Sequence, residues 1–224
     1  RPSTSDCDER FFEQTLDHFR HTPSEDGEET FPQRYFLCDK YWGMVGGDRG
    51  RHDESINNAK GPIFFYAGNE ADVSLYLGAT GLMWENAAAF GAALVFAEHR
   101  FYGESLPFGE PYEGREYLST SQALADYAFL ITTLKEELGA QESPVIVFGG
   151  SYGGMLAAWL RYKYPHIVHG AIAASAPVLS LDSLHPPADA GSFASVITRA
   201  AGPEGGCPES CVTNTRKAWK ALFS

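Results

Sequence analysis

Pro144-Val-Ile-Val-Phe148-Gly-Gly-Ser151-Tyr-Gly-Gly154-Met-Leu-Ala-Ala-Trp159 decides how the rest of the chain is read. A short run that is apolar on both faces, ending in glycines, reads as a buried parallel strand. The following stretch, residues 155–164, is almost wholly apolar, of helical length, and stopped by Pro165. Between strand and helix, residues 149–153 spell G-x-S-x-G around Ser151. Such a spacing has a steric reason. A nucleophile on a sharp strand-to-helix turn sits in a strained conformation, and glycines on either side let neighbouring backbone pass without a Cβ clash. The turn also aims helix N-terminal amides at a reacting oxygen, which makes the Tyr152 N–H an oxyanion donor. A phosphate-cradling loop would need Lys followed by Ser or Thr, and a dinucleotide loop G-x-G-x-x-G; neither is present.

Outward from this turn the rhythm repeats. Residues 62–67 and 92–97 are further continuous apolar runs, residues 82–90 read as a helix between them, and residues 170–174 give a fourth strand. Ser119 and Gln122 form a capping-box signature, after which Leu124, Tyr127, Ala128, Ile131, Leu134 and Leu138 keep a helical period up to Gly139. Strands alternating with helices predict a three-layer α/β domain with a mostly parallel sheet. Residues 30–42 alternate partially and read as an edge strand or hairpin, Pro32 arguing against a central strand. Residues 43–60, rich in Gly, Asp, Arg and Asn, read as a surface loop, and residues 24–29 as an acidic insert. After Pro177 the rhythm breaks, as at the opening of another element.

The composition narrows the classes of function. With 224 residues, 44% hydrophobic and 13% aromatic, the chain can build a sizeable core, which excludes intrinsic disorder. Its net charge of −12, from 17 basic and 29 acidic residues, offers no basic footprint for nucleic acid or an anionic membrane. Apolar runs fall short of the roughly 18 residues that span a bilayer, and the chain opens on Arg1 without a leader pattern, so a soluble, processed or trimmed chain is expected. Cys7, Cys38, Cys207 and Cys211 sit near the two ends. The close pair lacks the second half of a zinc site, so no metal and no cofactor are expected, and disulfide or partner-seeking cysteines fit an oxidising compartment.

Two further segments end apolar strands on the same sheet edge as Ser151. Gly68 suits a close backbone approach and is expected to give the second oxyanion donor, with Asn69 and Glu70 lining the cleft or capping a helix. Glu98, His99 and Arg100 read as a structural salt-bridge cluster. His99 precedes the nucleophile, whereas this architecture places acid and histidine after it.

Several stretches together resemble one family, that of lysosomal Pro-Xaa carboxypeptidase and dipeptidyl peptidase II, serine exopeptidases that cut after proline. They are Gln14-Thr-Leu-Asp17-His18-Phe19, Thr30-Phe-Pro-Gln-Arg34-Tyr, Phe64-Phe-Tyr-Ala-Gly68-Asn69-Glu70, the segment from Leu94 through Glu98-His99-Arg100 to Gly109, Ser121-Gln-Ala-Leu-Ala-Asp126, and the Ser151 segment itself. The resemblance covers roughly residues 11–180. It implies an α/β-hydrolase fold interrupted by a helical cap insertion, with Ser151 as nucleophile, Met155 lining a proline pocket, and Asn69 and Glu70 near the substrate terminus. An N-terminal extension over 1–29, the first part of the hydrolase domain over 30–180 and the beginning of the cap over 181–224 are the expected divisions. The triad acid and histidine are expected beyond residue 224, so this chain alone should be catalytically silent. The resemblance also implies a peptide substrate, a homodimer when full length, and a lysosomal, vacuolar or secreted location. The competing expectation is a non-catalytic hydrolase-fold protein that binds a peptide or partner in the same cleft.

Overall fold

A computed structural model describes residues 2–20, 29–43, 60–110, 113–180, 187 and 189–223. The chain divides into two compact units, Arg1–Pro177 and Val178–Ser224. The first is built on a six-stranded sheet of strands β1 (Asp8–Thr15), β2 (Thr30–Cys38), β3 (Ile63–Ala67), β4 (Ala93–Ala97), β5 (Val145–Gly150) and β6 (Gly170–Ala174). Their order across the sheet is β1-β2-β4-β3-β5-β6. The β1–β2 and β2–β4 pairs are antiparallel, and β4, β3, β5 and β6 run parallel. Helices α1 (Val73–Leu77), α2 (Gly81–Phe90), α3 (Thr120–Glu137) and α4 (Tyr152–Lys163) connect them.

Strand side chains divide between the two faces with a period of two. Ile63, Phe65, Ala67, Val95, Val145 and Val147 pack with Leu124, Tyr127, Leu130, Ile131 and Leu134 of α3 and Leu156 and Leu160 of α4. Phe64, Tyr66, Leu94, Phe96 and Phe148 pack on the opposite side with Val73 and Leu77 of α1 and Met83 and Ala87 of α2. That is the three-layer arrangement expected from the alternation of apolar runs. Each fully buried Leu, Val or Phe contributes roughly 1.5–3 kcal/mol.

The reading of residues 30–42 needs correction. β2 lies inside the sheet, paired with β1 from Thr30 to Leu37 on one side and with β4 from Tyr35 to Cys38 on the other. Pro32 is accommodated because pairing with β4 begins only at Tyr35, so the missing N–H faces no ladder there. β1 is a strand that periodicity did not single out, and it brings residues 8–15 into the sheet. Cys7 and Cys38 form a disulfide between the start of β1 and the end of β2. The proposed surface loop falls, over residues 44–59, outside the described residues, as does most of the acidic insert. At α3 the capping box is half made. Ser119 Oγ accepts from the Gln122 N–H at 3.2 Å, whereas the Gln122 side chain donates to Asp17 at 2.6 Å and accepts from the His18 N–H.

The second unit contains α5 (Ser192–Ala200) and α6 (Ser210–Leu222), with Cys207 and Cys211 as half-buried free thiols. Phe193, Ile197, Trp219 and Leu222 are exposed on these helices.

Candidate active site

The site grows from the junction of β5 and α4. Ser151 caps α4 with φ 56° and ψ −123°, a conformation that costs a non-glycine residue about 1–3 kcal/mol. Two bonds hold it there: the Ser151 N–H donates to Ala174 O at 3.0 Å, and Ser151 O accepts from the Met155 N–H at 3.1 Å. Its side chain is exposed. The flanking glycines are required sterically. A Cβ on Gly149 would collide with the Gly153 carbonyl, one on Gly153 would stand 2.7 Å from Ala67 O, and one on Gly154 2.8 Å from Ala174 O. Among the described residues, the other non-glycine positive-φ positions are Phe101 and Ser175. They follow β4 and β6, so backbone strain gathers just past the carboxyl ends of the parallel strands, on the edge that presents Ser151.

Tyr152 is the first residue of α4, where an N–H has no partner inside the helix. Its amide therefore sits where the sequence reading places the oxyanion donor. Gly68 is different and the expectation is corrected. Its N–H donates to Ala97 O at 3.0 Å, extending the β3–β4 pairing, and its carbonyl accepts from the Tyr127 hydroxyl at 2.7 Å. A Cβ at Gly68 would collide with Ala97 O. The glycine serves close strand packing, and its amide is engaged in the sheet.

Asn69 is buried, and its amide donates to Glu70 Oε2 at 2.9 Å, which fixes the orientation of both groups. Asn69 Oδ1 has no partner among the described residues and lies against Gly153. Glu70 is exposed and lines a cleft of about 260 Å³ with His99, Tyr102, Leu118, Ser119, Thr120 and Tyr152. Met155, 8% exposed, stands one turn into α4.

Of the three residues after β4, Glu98 and Arg100 are held in buried ion pairs, as expected, while His99 is held by uncharged partners. Glu98, fully buried, accepts from Arg34 at 2.6 Å, from the Val73 N–H at 3.0 Å, and from the Ser105 N–H and hydroxyl. All five N–H bonds of Arg100 are matched: Nε and Nη2 donate to the two oxygens of Asp126 at 2.7 and 2.6 Å, and the rest reach Leu16 O, Tyr117 O and Thr15 O. His99 is 1% exposed, and burial pushes its pKa down. His99 Nδ1 lies 2.7 Å from Arg100 O, and a carbonyl only accepts, so Nδ1 carries the proton. Nε2 then accepts from the Tyr152 hydroxyl at 3.3 Å, and the Thr120 hydroxyl lies 3.2 Å from the same Tyr152 oxygen. On the sheet's other face Tyr66, its hydroxyl pushed up to about 12 by burial, faces the Gly150 backbone. Sequence reasoning missed the placement of Tyr66, Thr120 and the Tyr152 side chain around the turn, since each depends on long-range juxtaposition.

His169 sits at the opposite end of β5, its Nδ1 accepting from the Val145 N–H at 3.1 Å, and His166 lines a separate hollow with Thr132 and Lys135. His185 lies outside the described residues. Among the described residues no cluster of three or more His, Cys, Asp or Glu side chains could hold a metal ion, and no helix is long and apolar enough to cross a membrane.

An exposed serine strained between a buried strand and a buried helix, on a mixed sheet flanked by helices, defines an α/β-hydrolase fold. The solved structure of a dipeptidyl aminopeptidase IV homologue from Bacteroides ovatus has the same fold, with a TM-score of 0.50 at 18% identity over 76% of this chain and 21% of that one. Residues 14–223 match the serine carboxypeptidase S28 family, and the chain belongs to that family. It is 44% identical over 220 residues to the lysosomal Pro-X carboxypeptidase of Mus musculus, covering 95% of this chain and 39% of that protein. Against the thymus-specific serine protease of Homo sapiens it is 37% identical over 170 residues, 75% of this chain and 30% of that protein. The chain thus spans well under half the length of these relatives.

Proposed function

We propose that the protein is a serine exopeptidase that cleaves peptides after proline near a chain terminus, through an acyl-enzyme on Ser151. The observation that carries this reading is the conformation of Ser151, strained, exposed and positioned at the first turn of α4. In the proposed reaction Ser151 Oγ attacks the scissile carbonyl while a base takes its proton, and the Tyr152 N–H stabilises the oxyanion. Met155 walls the proline pocket, and Asn69 and Glu70 meet the substrate near its terminus. Similarity to lysosomal Pro-X carboxypeptidases supports proline selection and a lysosomal setting. The disulfide Cys7–Cys38 suits an oxidising, secreted or lysosomal environment. A homodimer of the full-length protein and a cap begun by residues 181–224 belong to the same proposal.

Selectivity tests the pocket. In full-length protein, Met155→Asp is expected to lower the ratio of kcat/KM for Pro over Ala at the cleaved position by roughly tenfold or more, because the carboxylate must be desolvated beside an apolar ring. Equal losses for every residue at that position would indicate a folding defect and reject the pocket assignment.

The triad acid and histidine are placed beyond residue 224, since the order in this architecture is Ser, acid, His. His99 has its ring nitrogens engaged by Arg100 and Tyr152, and His169 lies at the far end of β5. Residues 1–224 alone should therefore react with a fluorophosphonate no faster than free serine; clear labelling would show that a histidine within the chain completes the site.

A further inference from the structure

We propose that His99 is a positioning residue for the nucleophile turn: it holds Tyr152 by accepting a hydrogen bond from the Tyr152 hydroxyl. The inference rests on the peptidase reading and deepens it by assigning the side chains that fix the oxyanion donor. Tyr152 has two parts with separate duties. Its backbone N–H lies at the start of α4 beside Ser151, and its ring reaches into the cleft toward His99 and Thr120. The hydroxyl lies between His99 Nε2 at 3.3 Å and Thr120 Oγ1 at 3.2 Å.

The direction of this chain is fixed from one end. Arg100 O can only accept, so it orders the proton onto His99 Nδ1 and leaves Nε2 as a lone pair. Tyr152 must then donate to His99, which leaves its oxygen free to accept from the Thr120 hydroxyl. The imidazole cannot drift. It is 1% exposed, with ring centroids 5.3 Å from Tyr102, 5.6 Å from Tyr152 and 6.5 Å from Tyr127. The following residue, Arg100, is clamped by Asp126 of α3. Thr120 in turn is the first residue of α3, whose capping residue Ser119 is itself bonded. The Tyr152 ring is therefore tied to the end of β4 and the start of α3, whereas the backbone bonds of Ser151 run to Ala174 of β6 and Met155 of α4. Positional errors of a fraction of an ångström at an oxyanion donor weaken transition-state binding, while substrate binding through other contacts persists.

The experiment is steady-state kinetics and fluorophosphonate labelling on the full-length protein and its Tyr152→Phe, His99→Leu, His99→Gln and Tyr152→Phe/His99→Leu variants. Tyr152→Phe, which removes one hydroxyl, is expected to lower kcat about tenfold with KM within about twofold. His99→Leu should match it, and His99→Gln, whose amide oxygen can accept near the Nε2 position, should recover most of the loss. The double variant should be no slower than the worse single variant, since both act through one bond. An active wild type with unchanged Tyr152→Phe, or with additive losses in the double variant, overturns the positioning role and leaves the peptidase reading standing. A wild type that neither hydrolyses a proline-containing peptide nor is labelled overturns the peptidase reading and this role with it.

Discussion

Replacing Ser151 with alanine in full-length protein is expected to lower turnover of a proline-containing peptide by on the order of 10⁶. The size follows from the role. No other described side chain shares the combination of exposure and φ 56° at the head of a buried helix. Alanine keeps the turn, because the bonds to Ala174 and Met155 use only backbone atoms of residue 151. Binding should survive while attack is lost, leaving the residual rate over water of roughly 10³–10⁴ that oxyanion stabilisation and binding provide. Retention of comparable turnover by a folded Ser151→Ala variant would remove Ser151 from the mechanism.

The second large effect concerns stability. Asp126 and Arg100 are both 0% exposed, and the pair is bidentate. Asp126 also meets His18 Nε2 at 2.8 Å, joining the segment after β1 to α3. Asp126→Ala leaves the Arg100 guanidinium buried without its counter-charge, a loss of about 3–5 kcal/mol. Asp8→Ala removes the partner of Arg10 in a pair whose side chains are 37% and 68% exposed, and should cost about 0–1 kcal/mol. Denaturant midpoints of the two variants measure the contrast; equal, small shifts would show that the buried pair does not hold this edge of the fold.

The parts of the molecule that were legible in the sequence are those whose signal is local. β3, β4 and β5 are covered on both faces, so their residues are apolar without interruption, and α3 and α4 carry a helical period or an apolar run. The strained turn at Ser151 was legible for the same reason: strand, glycines, serine and helix are contiguous. β1 was hidden because its sequence, DERFFEQT, carries charged residues on an edge strand. Its buried Gln14 accepts from the neighbouring Thr15 N–H, but its amide donates at long range, to Gln33 at 2.8 Å and to the Asp126 carbonyl, 112 positions away. Gly68 shows the opposite failure. A glycine after a strand predicts a free amide, but strand register decides whether that amide is used, and here Ala97 takes it. The charges of Glu98 and Arg100 are legible as structural ion-pair members, while the bond from Tyr152 to His99 requires the fold that brings positions 53 apart together.

The role of Ser151 is read out by treating full-length protein with a fluorophosphonate probe and locating the modified residue by peptide mass spectrometry. A single adduct is expected on Ser151, within the peptide that carries Gly149 to Met155, and none on residue 151 of the Ser151→Ala variant. An adduct on another residue, or none on an otherwise folded protein, would contradict that role.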